Sequence, residues 1–245
     1  MPMCADAAMR LDRLLTTLAV GSRIQVKTML RAGRVTVNGQ VVRSADAHVQ
    51  PGDRLTLDQQ PLDARTTRHV LLNKPCGVLT AARDPKQPTV LDLLPPAYRA
   101  CGCMPVGRLD KDTTGLLLLT TDGTLAHRLI APERHVDKVY EAEVEGALEE
   151  ADIAAFAQGI PLKDFTALPA RLEILGPGRG RVTVREGKYH QVKRMFGARG
   201  KPVLRLHRTA FGPLALDAGL APGKYRELTE KEIAALYQAA GMPHE

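Results

Sequence analysis

The stretch from Val106 to Gly123 reads VGRLDKDTTGLLLLTTDG. Its centre, LLLL, is a short apolar run of the kind that fills a strand buried on both faces. Immediately before it stand an arginine, two carboxylates (Asp110 and Asp112) and two threonines. Charged groups this close to a buried strand have two readings. Either the loop is a solvated turn, or it presents a carboxylate in a cleft at the end of a sheet.

The rest of the chain narrows the choice. It has 245 residues, 44% of them hydrophobic, enough for one large domain, or a small one joined to a medium one, with a real core. The net charge of +7 points to a polyanionic partner, nucleic acid before membrane. No apolar run approaches the length of a membrane span, and the opening MPMCADAAMRLDR lacks the layout of a signal peptide, so a cytoplasmic protein is expected. Cys4, Cys76, Cys101 and Cys103 read as reduced, partly buried thiols. CGC at 101–103 has no second Cys or His pair at ligand spacing, so no metal is expected.

An α+β architecture in two parts follows from the patterning. In RLDRLLTTL, Leu11, Leu14, Leu15 and Leu18 occupy one face of a helix. Gly21–Ser22 ends it and caps a second helix, RIQVKTMLRAG, closed by Gly33. RVTVNGQVV then spells a tight hairpin around Asn38–Gly39, and Pro51–Gly52 turns into a further strand, DRLTLD. These make a small α+β domain over residues 1–60, with a linker at 61–67. Arg23, Lys27 and Arg31 recur every four residues along the second helix and Arg34 follows its end, a stripe suited to phosphates. Residues 68–245 alternate short strands (HVLLNKPCGVLT, KVYEAEVEG, ARLEILG, RVTVREG, PVLRLHR) with helical stretches (EEADIAAFAQG, TEKEIAALYQAAG). Strands without regular βα alternation predict a mixed or antiparallel sheet with helices packed on it.

Residues 179–208 hold ten Lys or Arg and one acid, Glu186: ten minus one, a net of +9 that exceeds the charge of the whole chain. Such a block is expected to strain a folded surface unless a polyanion lies against it. Aromatic residues are only 4% of the chain and Trp is absent, which argues against base-by-base reading of single strands and for recognition through phosphates and shape.

Two resemblances organise these signals. MRLDRLL…GSRIQVKTMLRAGRVTVNGQVV, roughly residues 9–58, resembles the small alpha-L RNA-binding domain first seen in a ribosomal protein. LLNKPCG, VGRLDKDTTGLLLLTTDG, DKVYEAEV, EGKYHQVKRMF and LHRTAFGPLALDAGLAPGKYRELTEKEI together resemble a pseudouridine synthase. The match is to the branch that modifies ribosomal RNA, and within it most closely to bacterial small-subunit (16S) enzymes. The resemblance implies Asp110 as catalytic aspartate, Tyr140 stacking on the target base, Lys193 as the basic partner of Asp110, and Arg108 helping to displace the base. Lys74, His190, Gln191 and Arg194 are expected on the RNA beside the Arg23–Arg34 stripe. No cofactor is expected, and a monomer acting on a small-subunit assembly particle is the implied setting. Asp112 lies outside the implied catalytic set, so Asp112→Asn is expected to retain most activity. Three alternatives stay open: a large-subunit (23S) target, a non-catalytic ribosome-assembly factor, and a nuclease holding Mg²⁺ between Asp110 and Asp112.

Overall fold

The computed structural model describes residues 7–243; Cys4 lies outside them. The chain divides into two compact units, one reaching to Arg68 and including Leu94–Met104, the other formed by His69–Leu93 and the residues from Pro105 onward.

The first unit is built as its periodicity dictates. Leu11–Thr17 is helical, and Leu11, Leu14, Leu15 and Leu18 all point into a core with Val26, Leu30, Val35 and Leu55. Ser22 caps the helix Arg23–Arg31 reciprocally with Gln25, satisfying two of the helix's free N–H groups. Asn38–Gly39 joins the strands Val35–Val37 and Gln40–Val41, both turn residues carrying the positive φ that such a two-residue connection needs.

Two boundaries differ from expectation. Residues from Gln60 to Leu62 form an edge strand on Leu55–Leu57 instead of a linker. Pro61 is tolerated there because an edge strand can leave one N–H side unpaired, and Asp58–Gln59 turns the chain with positive φ at both positions without any glycine. The second difference is Leu94–Met104, which joins the first unit although residues on either side belong to the other. Its helix Pro96–Ala100 buries Tyr98, whose ring lies 5.2 Å from the Arg68 guanidinium, and the Cys101 thiol reaches the carbonyl of Thr17.

The second unit carries a mixed sheet. In spatial order its main strands are Arg171–Gly176, Arg179–Val184, Lys138–Val144, Val203–Phe211, Thr114–Thr120, His69–Lys74 and Tyr225–Glu227. Every neighbouring pair in that series is antiparallel except Val203–Phe211 with Thr114–Thr120. At this parallel junction Gly115 faces Arg208, and a Cβ on Gly115 would stand 2.2 Å from the Arg208 carbonyl oxygen. Only glycine allows the two backbones to approach so closely. Leu116–Leu119 are completely buried, as the LLLL run predicts. Leu116 and Leu118 pack with Leu125 and Leu129 from the helix Gly123–Ile130 and with Leu236 from Glu230–Ala239.

Candidate active site

The Asp110 loop is held from below. Lys74, at the end of the His69–Lys74 strand, is fully buried, and its ammonium donates to the carbonyls of Pro75, Lys111 and Thr113 at 3.0–3.1 Å. Burial lowers its pKa to about 8. Gly77 N–H donates to the Lys111 carbonyl at 2.9 Å, and the Thr80 hydroxyl to that of Leu109 at 2.7 Å. A turn closed by Thr113 N–H on the Asp110 carbonyl then presents Asp110 and Asp112 on the surface of this scaffold.

The facing wall is the helix Gln191–Ala198, whose start the sequence reading passes over. Val192, Met195 and Phe196, spaced i, i+3, i+4 and all buried, are the signal that locates it. His190 precedes it in the left-handed conformation, with φ 50°. Glu186, buried, anchors the approach by accepting from Leu168 N–H at 2.8 Å and from the Gln191 carboxamide at 2.7 Å.

These two elements bring Lys193 Nζ to 2.9 Å from Asp110 Oδ2 and 2.5 Å from Asp112 Oδ1, with His190 Nε2 at 3.5 Å from Asp110 Oδ1. Burial opposes charge on Lys193, but hydrogen bonds to Asp112 and Asp110 outweigh it and hold its pKa above the usual lysine value. The Lys193 hydrogen bond holds Asp112 below the usual carboxylate range. Tyr140 lies on the buried face of Lys138–Val144, where burial alternates residue by residue, and with Leu206 and Val184 lines the cleft beside Asp110. Behind its ring, 5.9 Å from the centroid, stands the buried Arg208 guanidinium, whose Nε donates to the Leu116 carbonyl at 2.7 Å. Arg108 is exposed at the rim.

Several residues expected on the RNA are engaged elsewhere. Lys74 is sealed under the loop, and Gln191 is buried between Glu186 and Lys188 N–H; both shape the site from within because their polar atoms are already saturated by protein. Arg194 pairs with Asp164 and lies 5.1 Å from the centre of the Phe165 ring. Arg34 is clamped by both oxygens of Asp58, whereas Arg23, Lys27 and Arg31 stand exposed. The basic block is also less naked than its sequence suggests. Nine of its ten cations meet a carboxylate within the 4.0 Å of an ion pair, including Arg181 on Glu141 and Glu173, Arg185 on Asp137 and Arg199 on Asp152, and the tenth, Arg208, is buried. An external polyanion is therefore not required to relieve the block, because for eight of the nine the acid comes from a segment outside it that the linear count does not see.

The chain that builds this cleft matches a known family in sequence. Residues 68–198 fit the model for RNA pseudouridylate synthases, and residues 9–55 that for the S4 domain. This chain belongs to the RNA pseudouridylate synthase family. It is 44% identical over 231 residues to the ribosomal small subunit pseudouridine synthase A of Pseudomonas aeruginosa, covering 93% of this chain and all of the relative. Its counterpart in Escherichia coli is 43% identical over 234 residues, again 93% of this chain and all of the relative. An RNA pseudouridine synthase of Bacillus subtilis is 43% identical over 92% of this chain and 97% of its own. A crystal structure of a pseudouridylate synthase superposes with a TM-score of 0.66 at 37% identity, over 93% of this chain and 99% of that one. Membership makes the chain an enzyme that isomerises uridine in RNA and confirms the α+β fold expected from the patterning.

Proposed function

We propose that the enzyme converts one uridine of small-subunit ribosomal RNA to pseudouridine, with Asp110 as the catalytic carboxylate, Lys193 as its cation and Tyr140 as the platform for the flipped base. The observation that carries this reading is the Lys193–Asp110 contact of 2.9 Å at the mouth of a cleft lined by Tyr140. A carboxylate brought into a partly dry cleft tends to take up a proton, and an adjacent ammonium opposes that. The reaction breaks the N1–C1′ bond, turns the uracil and joins C5 to C1′, while the C5 proton leaves and N1 gains one. All changes balance within the nucleoside, so the chemistry requires no redox cofactor. Asp110 serves either by bonding to the substrate or by taking a proton from the ribose, and both need it ionised at the start. The target base must leave its stack at a cost of a few kcal/mol. Stacking on Tyr140 and insertion of Arg108 into the vacated space offset part of this. The exposed Arg23, Lys27 and Arg31 stripe supplies phosphate contacts, and His190, beside Asp110, contacts the RNA at the cleft mouth.

The small-subunit target rests on the relatives in Pseudomonas and Escherichia that bear that name. A monomer in the cytoplasm, acting on a partly assembled particle, is the setting that fits shape-based recognition. The test is tritium release from RNA labelled at uridine C5, comparing small-subunit, large-subunit and transfer RNA, each free and protein-bound. Release is expected from small-subunit RNA, strongest on the particle, and abolished by Asp110→Asn with RNA binding kept. Preferred release from large-subunit RNA would refute the target, and normal turnover by Asp110→Asn would refute the site.

A further inference from the structure

The sequence places Asp112 outside the chemistry, yet in the fold it makes the shorter of the two contacts to Lys193: 2.5 Å against 2.9 Å for Asp110. The three groups form a chain in which one ammonium is shared by two carboxylates. The environments of those carboxylates differ. Asp110 is 27% exposed within the cleft, while Asp112 is 69% exposed at its rim. Lys193 itself is only 22% exposed.

This asymmetry has a consequence for turnover. Whether Asp110 bonds to the substrate or accepts a proton from the ribose, its negative charge is dissipated at that step. An ammonium paired with Asp110 alone would then be left in a cleft closed by RNA, with no anion to face. Removing one member of a desolvated ion pair is costly because the other remains uncompensated. A solvated second carboxylate in contact avoids this, since it stays ionised throughout and keeps the ammonium docked. Sharing also weakens the hold of Lys193 on Asp110 before reaction, so Asp110 is freer to turn toward the substrate.

The alternative, an ordinary exposed acid, fits the setting poorly. A carboxylate at the mouth of a cleft that must admit the anionic phosphodiester backbone of RNA repels its substrate. Its position is set by the turn in which Thr113 N–H meets the Asp110 carbonyl, which brings both side chains to one helix face.

We propose that Asp112 is a positioning residue of the synthase, holding the Lys193 ammonium in place while Asp110 gives up its charge. The proposal rests on the assignment of Asp110 and Lys193 above, and its test separates the two. Full-length wild type, Asp112→Asn, Asp112→Glu, Lys193→Met and the double variant Asp112→Asn/Lys193→Met are compared by single-turnover tritium release and by RNA affinity. Asp112→Asn should slow release about tenfold, equivalent to about 1.4 kcal/mol of barrier, while binding RNA as tightly as wild type or tighter. That opposition between rate and affinity is not produced by a local folding defect. Asp112→Glu should stay within about twofold of wild type. In the Lys193→Met background, the added Asp112→Asn change should cost less than about twofold, because the ammonium it serves is gone. A rate for Asp112→Asn within about twofold of wild type would overturn the proposal. So would a loss in Asp112→Glu as deep as in Asp112→Asn, or a full repeat of the loss in the Lys193→Met background. The two single Asp112 variants decide the matter if the Lys193→Met proteins turn over too slowly to compare. Normal release by an Asp110→Asn control would instead remove the underlying assignment.

Discussion

Replacing Gly115 by alanine tests how the sheet holds the site together. Gly115 has φ of 102° and lies opposite Arg208 at the parallel junction between Thr114–Thr120 and Val203–Phe211. An L-residue at positive φ costs about 1–2 kcal/mol. The new Cβ would also fall 2.2 Å from the Arg208 carbonyl oxygen and 2.7 Å from its nitrogen. Backbone atoms cannot yield as a flexible side chain does, so the strands must separate. Separation loosens the pairs His207 with Thr114 and Arg208 with Gly115, and draws Arg208 Nε away from the Leu116 carbonyl. At roughly 1 kcal/mol per hydrogen bond, that adds about 2–3 kcal/mol. The sum, about 4 kcal/mol, corresponds to a midpoint lowered by about 8–16 °C for a domain of this size. Calorimetry of the full chain measures it, with tritium release assayed well below the transition. Activity should fall too, because the Asp110 loop leads directly into one strand and Arg208, behind Tyr140, is on the other. A midpoint within about 2 °C of wild type would refute the claim that this backbone approach is obligatory.

Two further outcomes follow from charge. Arg23→Ala/Lys27→Ala/Arg31→Ala should reduce the slope of log affinity against log salt by up to about 2.7, at about 0.9 for each phosphate no longer neutralised. Arg34→Ala should leave it unchanged, because Asp58 already holds that side chain; equal effects of the two variants, read by salt-titrated binding, would contradict the assignment. Burial lowers the Lys74 pKa to about 8, so between about pH 8 and 10.5 the unfolded chain holds the proton that the folded chain has released. Stability from this group therefore rises with pH across that window, by up to about 1.4 kcal/mol per unit. The buried Cys103 thiol, pushed up to about 12, acts oppositely above pH 9. The measure is accordingly the difference in unfolding free energy between wild type and Lys74→Met, which should grow by about 2 kcal/mol from pH 8 to 10; a flat difference refutes the buried-cation account.

Much of this protein is local and readable as such. Leucines at helical spacing, Ser22 with Gln25, Asn38–Gly39 and the LLLL run each specify an element through interactions a few residues apart, so sequence alone predicts the S4-like unit and the buried strand. The motif around Asp110 likewise names the family before any coordinate is known. What the linear chain could not show is which distant charges meet. Lys74 looks like an RNA contact until the fold seals it under the Asp110 loop, and Gln191 until Glu186 takes its carboxamide. The net of +9 in residues 179–208 counts only neighbours in sequence, while Glu141, Glu143, Asp137 and Asp152 arrive from other segments of the chain to meet it. Leu94–Met104 likewise returns to the first unit through contacts distant in sequence, Tyr98 with Arg68 and Cys101 with Thr17. Asp112 is the sharpest case: its contact with Lys193 joins residues 81 positions apart. Periodicity reports which face of an element is buried, but an ion pair depends on where two chain segments end up, and only the packed sheet decides that.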